Sequence, residues 1–431
     1  MYKRTDRETP YLFSELMPFG GKLDEGNRWL KLAKLIPWDE LEAAYAARFP
    51  SGTGRPAADA RLVCGLLVVK HKLRVSDEEV VQCLLESPYV QAFCGLESFA
   101  TRGVLDPSLM SKKRRQLGPE FFRKFEEEVL AAIKARGLLK AGVQFVDATV
   151  IPADIAYPTD CGLIEKARRW AVSIIKASGE KVRTYCRKAR GVFVNFRRKR
   201  RRNKRFIQKT RGQLLRFLRR NIAQLEALSE RGCDVPREKF TIVKKLYAQQ
   251  YDMWKNKLRT VPCRLVSLDK PQVRAMVRGK DGRDVEFGPK VLLSNVDGYA
   301  FADHVAYEPY NEALHAGKSI AQYERRFGKK PKAIVGDGIF GNRDNRQMLN
   351  NLKIRDAFKP LGRPGPEAKT RRGWLRKMLN RRNGEMEGII GLAKSKYGLD
   401  RMRYRVPGCE EIWIRMCLLG MNLTTALQRA G

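Results

Sequence analysis

Apolar residues in the first 140 positions recur at intervals of three and four, the spacing of amphipathic helices. Segments with this pattern lie at residues 29–36, 38–49, 54–69 and 76–85. Pro37 separates the first two because proline does not continue a helix. Ser76 with Glu79 three residues later is the signature of a capping box, which predicts a helix start. A basic helical segment follows at residues 111–116, and the whole pattern predicts a helical domain over residues 1–139.

The pattern changes at residues 140–152, an apolar and β-branched run that predicts a strand. Further strands are predicted at residues 264–268, 272–278, 284–296, 299–306, 332–336 and 355–359. Asp297-Gly298 is a strong signal for a hairpin turn between two of them. Helices are predicted at residues 311–327, 342–352, around Glu387, and at 410–428. Residues 362–377 are basic and punctuated by glycine and proline, which predicts a loop.

Two helical segments, residues 163–228 and 238–257, lie between the first strand and the later ones. We interpret them as an insertion, residues 161–260, in a mixed-sheet domain formed by residues 140–160 and 261–431. The predicted fold class is therefore a multidomain α+β or α/β protein with a helical N-terminal domain and a basic helical insertion.

The charge of the chain indicates its partner. Its 86 lysines and arginines against 47 aspartates and glutamates give a formal charge of +39. Such an excess repels itself unless a polyanion is the usual partner, so nucleic acid is expected before an anionic membrane surface. No apolar run approaches the roughly 20 residues of a membrane-spanning helix, and the first residues lack a signal-peptide core. A cytoplasmic protein with no membrane partner is expected.

The insertion carries the strongest bias, because residues 166–220 contain 22 lysines or arginines and one acid, Glu180. Contact with DNA phosphates by such a segment releases counterions, which predicts a steep dependence of binding on salt. The interleaved aromatic residues are interpreted as core contacts. The short N-terminal helices resemble a helix-turn-helix-type DNA binder, and a small bundle with a solvated charged face is the alternative. The side chains predicted to contact DNA are Arg55, Lys112, Lys113, Arg114, Arg115, Arg197, Arg198, Lys199, Arg200, Arg201, Arg202, Lys204, Arg205, Lys290 and Arg382.

Three acids are candidates for chemistry. Asp147 interrupts the first apolar strand, where a carboxylate is costly unless a metal ion, a proton or an ion pair offsets its charge. Asp337 follows another short apolar strand, and Glu387 lies on a predicted helix. With only three histidines, and nine cysteines that form no C-x-x-C pair, any metal is expected to have oxygen ligands. Asp147 is predicted to bridge two Mg²⁺ ions, with Asp337 and Glu387 each holding one, and Mn²⁺ is an expected substitute.

Lys394 lies seven residues after Glu387, nearly two helical turns, so the two side chains share a face of the helix. Lys394 is therefore a candidate for phosphate contact near the metal ions. The alternative for Glu387 and Lys394 is an ordinary pair of surface residues. The alternative for Gly336-Asp337-Gly338 is a simple turn, and the alternative for Asp147 is a buried acid with a structural role.

A series of short motifs resembles the DDE transposases of bacterial insertion sequences, in the branch with a helical N-terminal domain. In the N-terminal part the motifs are Gly54-Arg55-Pro56, Ser76-Asp77-Glu78, Phe93-Cys94-Gly95-Leu96 and Asp106-Pro107-Ser108. Further along they are Val146-Asp147-Ala148-Thr149, Glu286-Phe287-Gly288-Pro289-Lys290, Val296-Asp297-Gly298, Val335-Gly336-Asp337, residues 342–345, Glu387-Gly388, Lys394, Tyr397-Gly398-Leu399 and Arg401.

The resemblance implies an RNase H-like core, Mg²⁺ dependence, and binding of double-stranded DNA at terminal inverted repeats and at the target. It implies cut-and-paste strand transfer with Asp147, Asp337 and Glu387 as the catalytic acids and Lys394 as a phosphate contact. A homodimer on DNA is expected because two ends must be handled together. The expected location is the bacterial cytoplasm, at the nucleoid when the protein is bound to DNA.

The resemblance has one departure near the third acid. Related transposases often place Tyr seven and Arg four positions before the Glu, where this chain has Asn380 and Asn383. Arg381 and Arg382 lie beside these positions, so either the basic residue is displaced by one or two positions or Glu385 is the third acid. Glu387 is preferred, because Glu387-Gly388 followed by Lys394 fits the motif better. A non-catalytic DNA-binding protein derived from a transposase and a metal-dependent nuclease without a joining step are the rival functions.

Overall fold

The computed structural model describes residues 18–50, 56–277, 285–362, 368–404, 406 and 408–431. Its helices are α1 (Arg28–Ala33), α2 (Trp38–Ala46), α3 (Ala60–Leu73), α4 (Asp77–Glu86), α5 (Pro88–Phe93), α6 (Pro107–Ala135), α7 (Asp160–Ala177), α8 (Cys186–Arg198), α9 (Lys204–Glu230), α10 (Arg237–Lys255), α11 (Ala316–Phe327), α12 (Arg343–Asn351), α13 (Ala368–Tyr397) and α14 (Glu410–Ala430). Its strands are β1 (Val143–Val150), β2 (Ala275–Val277), β3 (Val285–Phe287), β4 (Lys290–Val296), β5 (Tyr299–Ala306), β6 (Ala333–Val335) and β7 (Arg355–Ala357). The chain is a mixed α/β protein that is mostly helical.

The chain forms two compact units. Unit 1 contains Met1–Asp154, Lys290–Ala306 and Tyr310–Gly431, and unit 2 contains Ile155–Pro289 and Tyr307–Pro309. The domain boundaries read from the sequence remain a prediction. None of the described helices is both long enough and apolar enough to cross a bilayer.

The N-terminal part of unit 1 is helical, as its apolar spacing predicts. The capping box at the start of α4 is confirmed: the Glu79 amide donates to Ser76 Oγ at 3.0 Å, and the Ser76 amide donates to Glu79 Oε2 at 2.7 Å. Local signals of this kind are readable because all the partners lie within one turn of the helix.

Unit 1 also holds a five-stranded mixed sheet with the order β5-β4-β1-β6-β7. The central strand β1 pairs antiparallel with β4 and parallel with β6. The predicted hairpin joins β4 to β5, and its two turn residues, Asp297 and Gly298, have φ values of 53° and 80°. Positive φ at both positions is the geometry of the tight turn that suits the twist of adjoining strands.

Alternation along β1 directs its side chains to two faces. Val146 lies in one buried cluster with Ala316 and Ile320 of α11. On the opposite face, the guanidinium of Arg381 in α13 lies 5.1 Å from the centre of the Phe145 ring. The sheet is therefore covered by α11 on one face and α13 on the other.

Unit 2 is a helical bundle with the small β2–β3 hairpin. Its core contains apolar residues from α7 and α9, together with Phe196 of α8. Trp170, Phe193 and Phe206 pack against the same core, which confirms these aromatics as core contacts. Tyr185 and Phe217 are not part of this cluster, and their ring centres lie 6.3 Å apart. Several acids of this unit form ion pairs with basic side chains, for example Asp160 with Arg264 at 2.6 Å.

Two predictions of secondary structure are wrong. Residues 264–268 form no strand, because Leu265 and Leu268 enter the core of unit 2 from an irregular segment. The loop predicted at residues 362–377 becomes α13 from Ala368 onward. The proline-free stretch after residue 366 is rich in Lys, Arg, Leu and Met, and these helix formers outweigh its scattered glycines.

Candidate active site

The parallel pairing of β1 with β6 brings Asp147 and Asp337 together. Phe145 is opposite Val335 in this register, and each aspartate lies two residues beyond that pair. The carboxyl ends of two neighbouring parallel strands therefore deliver both carboxylates to the same edge of the sheet. The predicted convergence of these two acids is confirmed.

A third carboxylate, Glu312, completes the group. Glu312 is the first residue of a 3-10 turn, Glu312–His315, that leads into α11. Asp147, Glu312 and Asp337 each offer one oxygen, and these three oxygens lie within 4.8 Å of one another. We call these three residues the acid group.

Backbone geometry fixes the position of Asp337. Its side chain caps a second 3-10 turn, Gly338–Gly341, by accepting a hydrogen bond from the Ile339 amide at 3.0 Å. At Gly336, a Cβ atom would lie 2.8 Å from the Phe340 ring and 3.1 Å from Val146. Glycine is therefore required immediately before Asp337, since a side chain there would push the turn away from β1.

Two cations contact the acid group. Arg382 Nη2 of α13 lies 2.6 Å from Asp147 Oδ2, and the Ala148 amide donates to Asp147 Oδ1 at 2.9 Å. Lys290 Nζ lies 2.8 Å from Glu312 Oε1. Burial raises the pKa of the Asp147 carboxyl, Arg382 acts to lower it, and the nearby Glu312 and Asp337 carboxylates add to the rise.

The oxygen spacing of the acid group fits a divalent cation. Oxygens on opposite sides of a magnesium ion lie about 4.2 Å apart, because each Mg–O distance is about 2.1 Å. A spread of up to 4.8 Å needs only small side-chain adjustments to reach that geometry. Such an ion would share or replace the contacts that Arg382 and Lys290 make with the carboxylates.

Residues 18–116 match the family described as Transposase domain (DUF772). The chain carries a transposase domain. It is also 38% identical over 178 residues to a Rhizobium meliloti protein described as "Uncharacterized protein ORF8 in nfe locus". That alignment covers 39% of this chain and 83% of the Rhizobium protein, so the chain belongs to the same family. No solved structure matches the chain.

The transposase domain comprises α1 to α5 and the first part of α6. It contains the basic segment for which DNA contact was predicted. Lys112 and Arg115 of that segment are exposed, whereas Lys113 and Arg114 are buried. Arg114 donates to both oxygens of Asp77, at 2.8 and 2.6 Å, and Lys113 lies 4.1 Å from the centre of the Phe49 ring. DNA contact by this segment is therefore proposed for Lys112 and Arg115, and the predicted contact at Arg55 lies outside the described residues.

The other predicted DNA contacts fall into two groups. Those of the insertion are exposed in unit 2, namely Arg197, Arg198, Lys199, Arg200, Arg201, Arg202, Lys204 and Arg205. Lys290 and Arg382 instead contact the acid group, which places them beside any phosphate bound there.

The structure places the predicted third acid, Glu387, outside the acid group. Glu387 is exposed on α13, whereas Met386 is fully buried. Consecutive residues of a helix differ in direction by about 100°, so Glu387 points away from the side that carries Met386. The alternative acid, Glu385, accepts from Asn295 of β4 at 3.3 Å and pairs with Arg381 at 2.8 Å. Lys394 lies half-buried further along α13.

Sequence reasoning missed Glu312. The sequence shows only an acid in the first turn of a predicted helix, which is a common feature of helix starts. Its meeting with Asp147 depends on how the turn before α11 packs against the sheet edge, and no local pattern encodes that packing.

Proposed function

We propose that this protein is a DDE transposase of an insertion sequence, which binds terminal inverted repeats and performs metal-dependent DNA cleavage and strand transfer. The observation that carries the proposal is the convergence of Asp147, Asp337 and Glu312 in a chain with a transposase domain. The mixed sheet supports the RNase H-like core that the motifs imply, because the first acid lies on its central strand and the second follows the adjacent parallel strand.

The proposed reaction replaces one P–O bond by another. In cleavage, a water oxygen attacks phosphorus, and the 3′-oxygen of the DNA strand leaves with a proton. In strand transfer, that 3′-hydroxyl loses its proton and attacks a phosphorus of the target DNA. The bond from this phosphorus to the target's own 3′-oxygen breaks, and that oxygen leaves with a proton. Two Mg²⁺ ions, when bound, would activate the attacking oxygen and stabilise the leaving oxygen.

The residues of this chain have separate roles in the proposal. The acid group would hold the metal ions at the phosphate. Glu387 is a further candidate ligand because of the motif resemblance. Arg382 and Lys290 supply positive charge at the same place, which favours the phosphate that approaches. The exposed basic side chains of α8, α9 and the segment between them hold the DNA backbone, and a homodimer would handle the two transposon ends.

The proposal is tested with purified protein and a duplex that carries the inverted repeats flanking its gene. We expect strand cleavage at the repeat ends with Mg²⁺ or Mn²⁺ and none with EDTA. Offering a free 3′-hydroxyl end and a target duplex then separates a transposase from a nuclease without a joining step. Salt-sensitive binding without any cleavage under these conditions would contradict the proposal.

The identity of the third acid gives a separate prediction. Glu312→Gln should raise the Mn²⁺ concentration needed for half-maximal cleavage by about tenfold or more, since it removes a charged ligand from the acid group. Glu324→Gln, a change at an exposed acid of α11, is the matched control and should behave like the wild type. If Glu387→Gln raises the Mn²⁺ concentration needed for half-maximal cleavage and Glu312→Gln does not, the third ligand is Glu387 and not Glu312.

A further inference from the structure

Two exposed apolar side chains flank the acid group. Leu314 is 75% exposed and Ile339 is 54% exposed. Leu314 lies two residues after Glu312, and Ile339 lies two residues after Asp337. Because two residues span at most about 7 Å, each apolar side chain starts close to a candidate metal ligand.

A buried amide holds these two positions together. The side-chain Nδ2 of Asn345 donates to the Ala313 carbonyl at 2.9 Å and to the Phe340 carbonyl at 3.0 Å. Ala313 belongs to the turn of Leu314, and Phe340 belongs to the turn of Ile339. The two turns contact each other and are also joined by this side chain, so the backbone positions of Leu314 and Ile339 are held relative to each other.

The surroundings of the pair suit DNA. Lys318 of α11 and Arg343, the first residue of α12, are exposed beside the two turns. Positive charge around an apolar pair complements a duplex, which presents phosphates outside and stacked bases inside. Single exposed leucines are common on protein surfaces. Leu314 and Ile339 differ because each lies two residues from a member of the acid group.

We propose that Leu314 and Ile339 form an apolar wedge that enters the DNA duplex beside the phosphate to be cleaved and unstacks the adjacent base pair. The inference rests on the proposed transposase function, because the occupant is the DNA bound at the acid group. Successive base pairs are about 3.4 Å apart along the duplex. A side chain whose backbone lies within about 7 Å of a metal ligand can therefore contact a base pair one or two positions from the phosphate. Apolar side chains such as Leu and Ile unstack base steps in this way in other DNA-binding proteins.

The test compares the wild type with the double variant Leu314→Ser/Ile339→Ser on two duplexes. One duplex is fully paired, and the other carries a mismatch at the base pair next to the cleavage site. The double variant should cleave the paired duplex at least about tenfold more slowly and regain near wild-type rates on the mismatched one, because a mismatched base is already easier to unstack. Val277→Ser, a change at an 83% exposed residue of unit 2, is the control and should leave both rates unchanged.

A fluorescence measurement makes the wedge testable without cleavage. With 2-aminopurine at the base next to the cleavage site and Ca²⁺ in place of Mg²⁺, wild-type binding should raise the fluorescence, and the double variant should not. Equal cleavage of the paired duplex by both proteins, or loss of cleavage that the mismatch does not restore, would overturn the wedge. Absence of cleavage by the wild type on both duplexes would instead count against the proposed function, while the fluorescence result still decides the wedge.

Discussion

Replacing Asp147 by asparagine is expected to slow DNA strand cleavage by about 10³-fold or more, which corresponds to about 4 kcal/mol of transition-state stabilisation. Asparagine keeps the shape of the side chain and removes its charge. Asp147 lies on the central strand and faces both other members of the acid group, so its loss affects every metal ion bound there. DNA binding should remain within about threefold of the wild type, because the exposed basic side chains that neutralise phosphates are unchanged.

Asp344→Asn is the matched control for this experiment, since Asp344 is an exposed acid in the first turn of α12. Its cleavage rate should equal that of the wild type. Cleavage by Asp147→Asn within a few-fold of the wild-type rate would exclude Asp147 as a metal ligand.

The second large effect is expected from the basic residues at the end of α8, at the start of α9 and in the segment between them. Changing Arg198, Arg200, Arg201 and Arg205 to glutamine should weaken DNA binding by about 10²–10³-fold at 0.15 M salt. Each lost phosphate contact lowers the slope of log affinity against log salt by about 0.9, so four contacts account for a change of about 3.6. The measurement is a binding titration at several salt concentrations.

These four positions are chosen because their neighbours also support the fold. Arg202 stacks 4.4 Å from the centre of the Phe196 ring, and Lys199 lies 4.4 Å from that of Phe206. The control variant carries lysine at the same four positions, which keeps the charge and should keep the salt slope. A glutamine variant with the wild-type slope would show that this stretch does not contact DNA.

Much of the fold is encoded in local patterns. The capping box at Ser76 and the Asp297-Gly298 turn involve partners within four residues of each other, and both are confirmed. The strand with Asp147 and the one before Asp337 are also confirmed, because short β-branched runs bounded by turn residues are typical of buried strands. Asp147 and Asp337 lie close together because these two strands are neighbours and run parallel.

The rest of the site depends on tertiary packing, which local sequence patterns do not predict. The direction of Glu387 is set by the burial of Met378, Met386 and Ala393, which fixes the rotation of α13 about its axis. A spacing of seven places Glu387 and Lys394 on one face but does not say which face meets the sheet. Both Arg114 and Arg115 are basic, so their charge does not predict which one is exposed. Arg114 is buried and paired with Asp77, whereas Arg115 is exposed.

The central claim is that Asp147, Asp337 and Glu312 together hold a divalent metal ion, and Mn²⁺ binding followed by electron paramagnetic resonance tests it most directly. We predict that the wild type binds Mn²⁺ and that Asp147→Asn, Asp337→Asn and Glu312→Gln each weaken this binding by about tenfold or more. Unchanged Mn²⁺ affinity in both aspartate variants would contradict the claim.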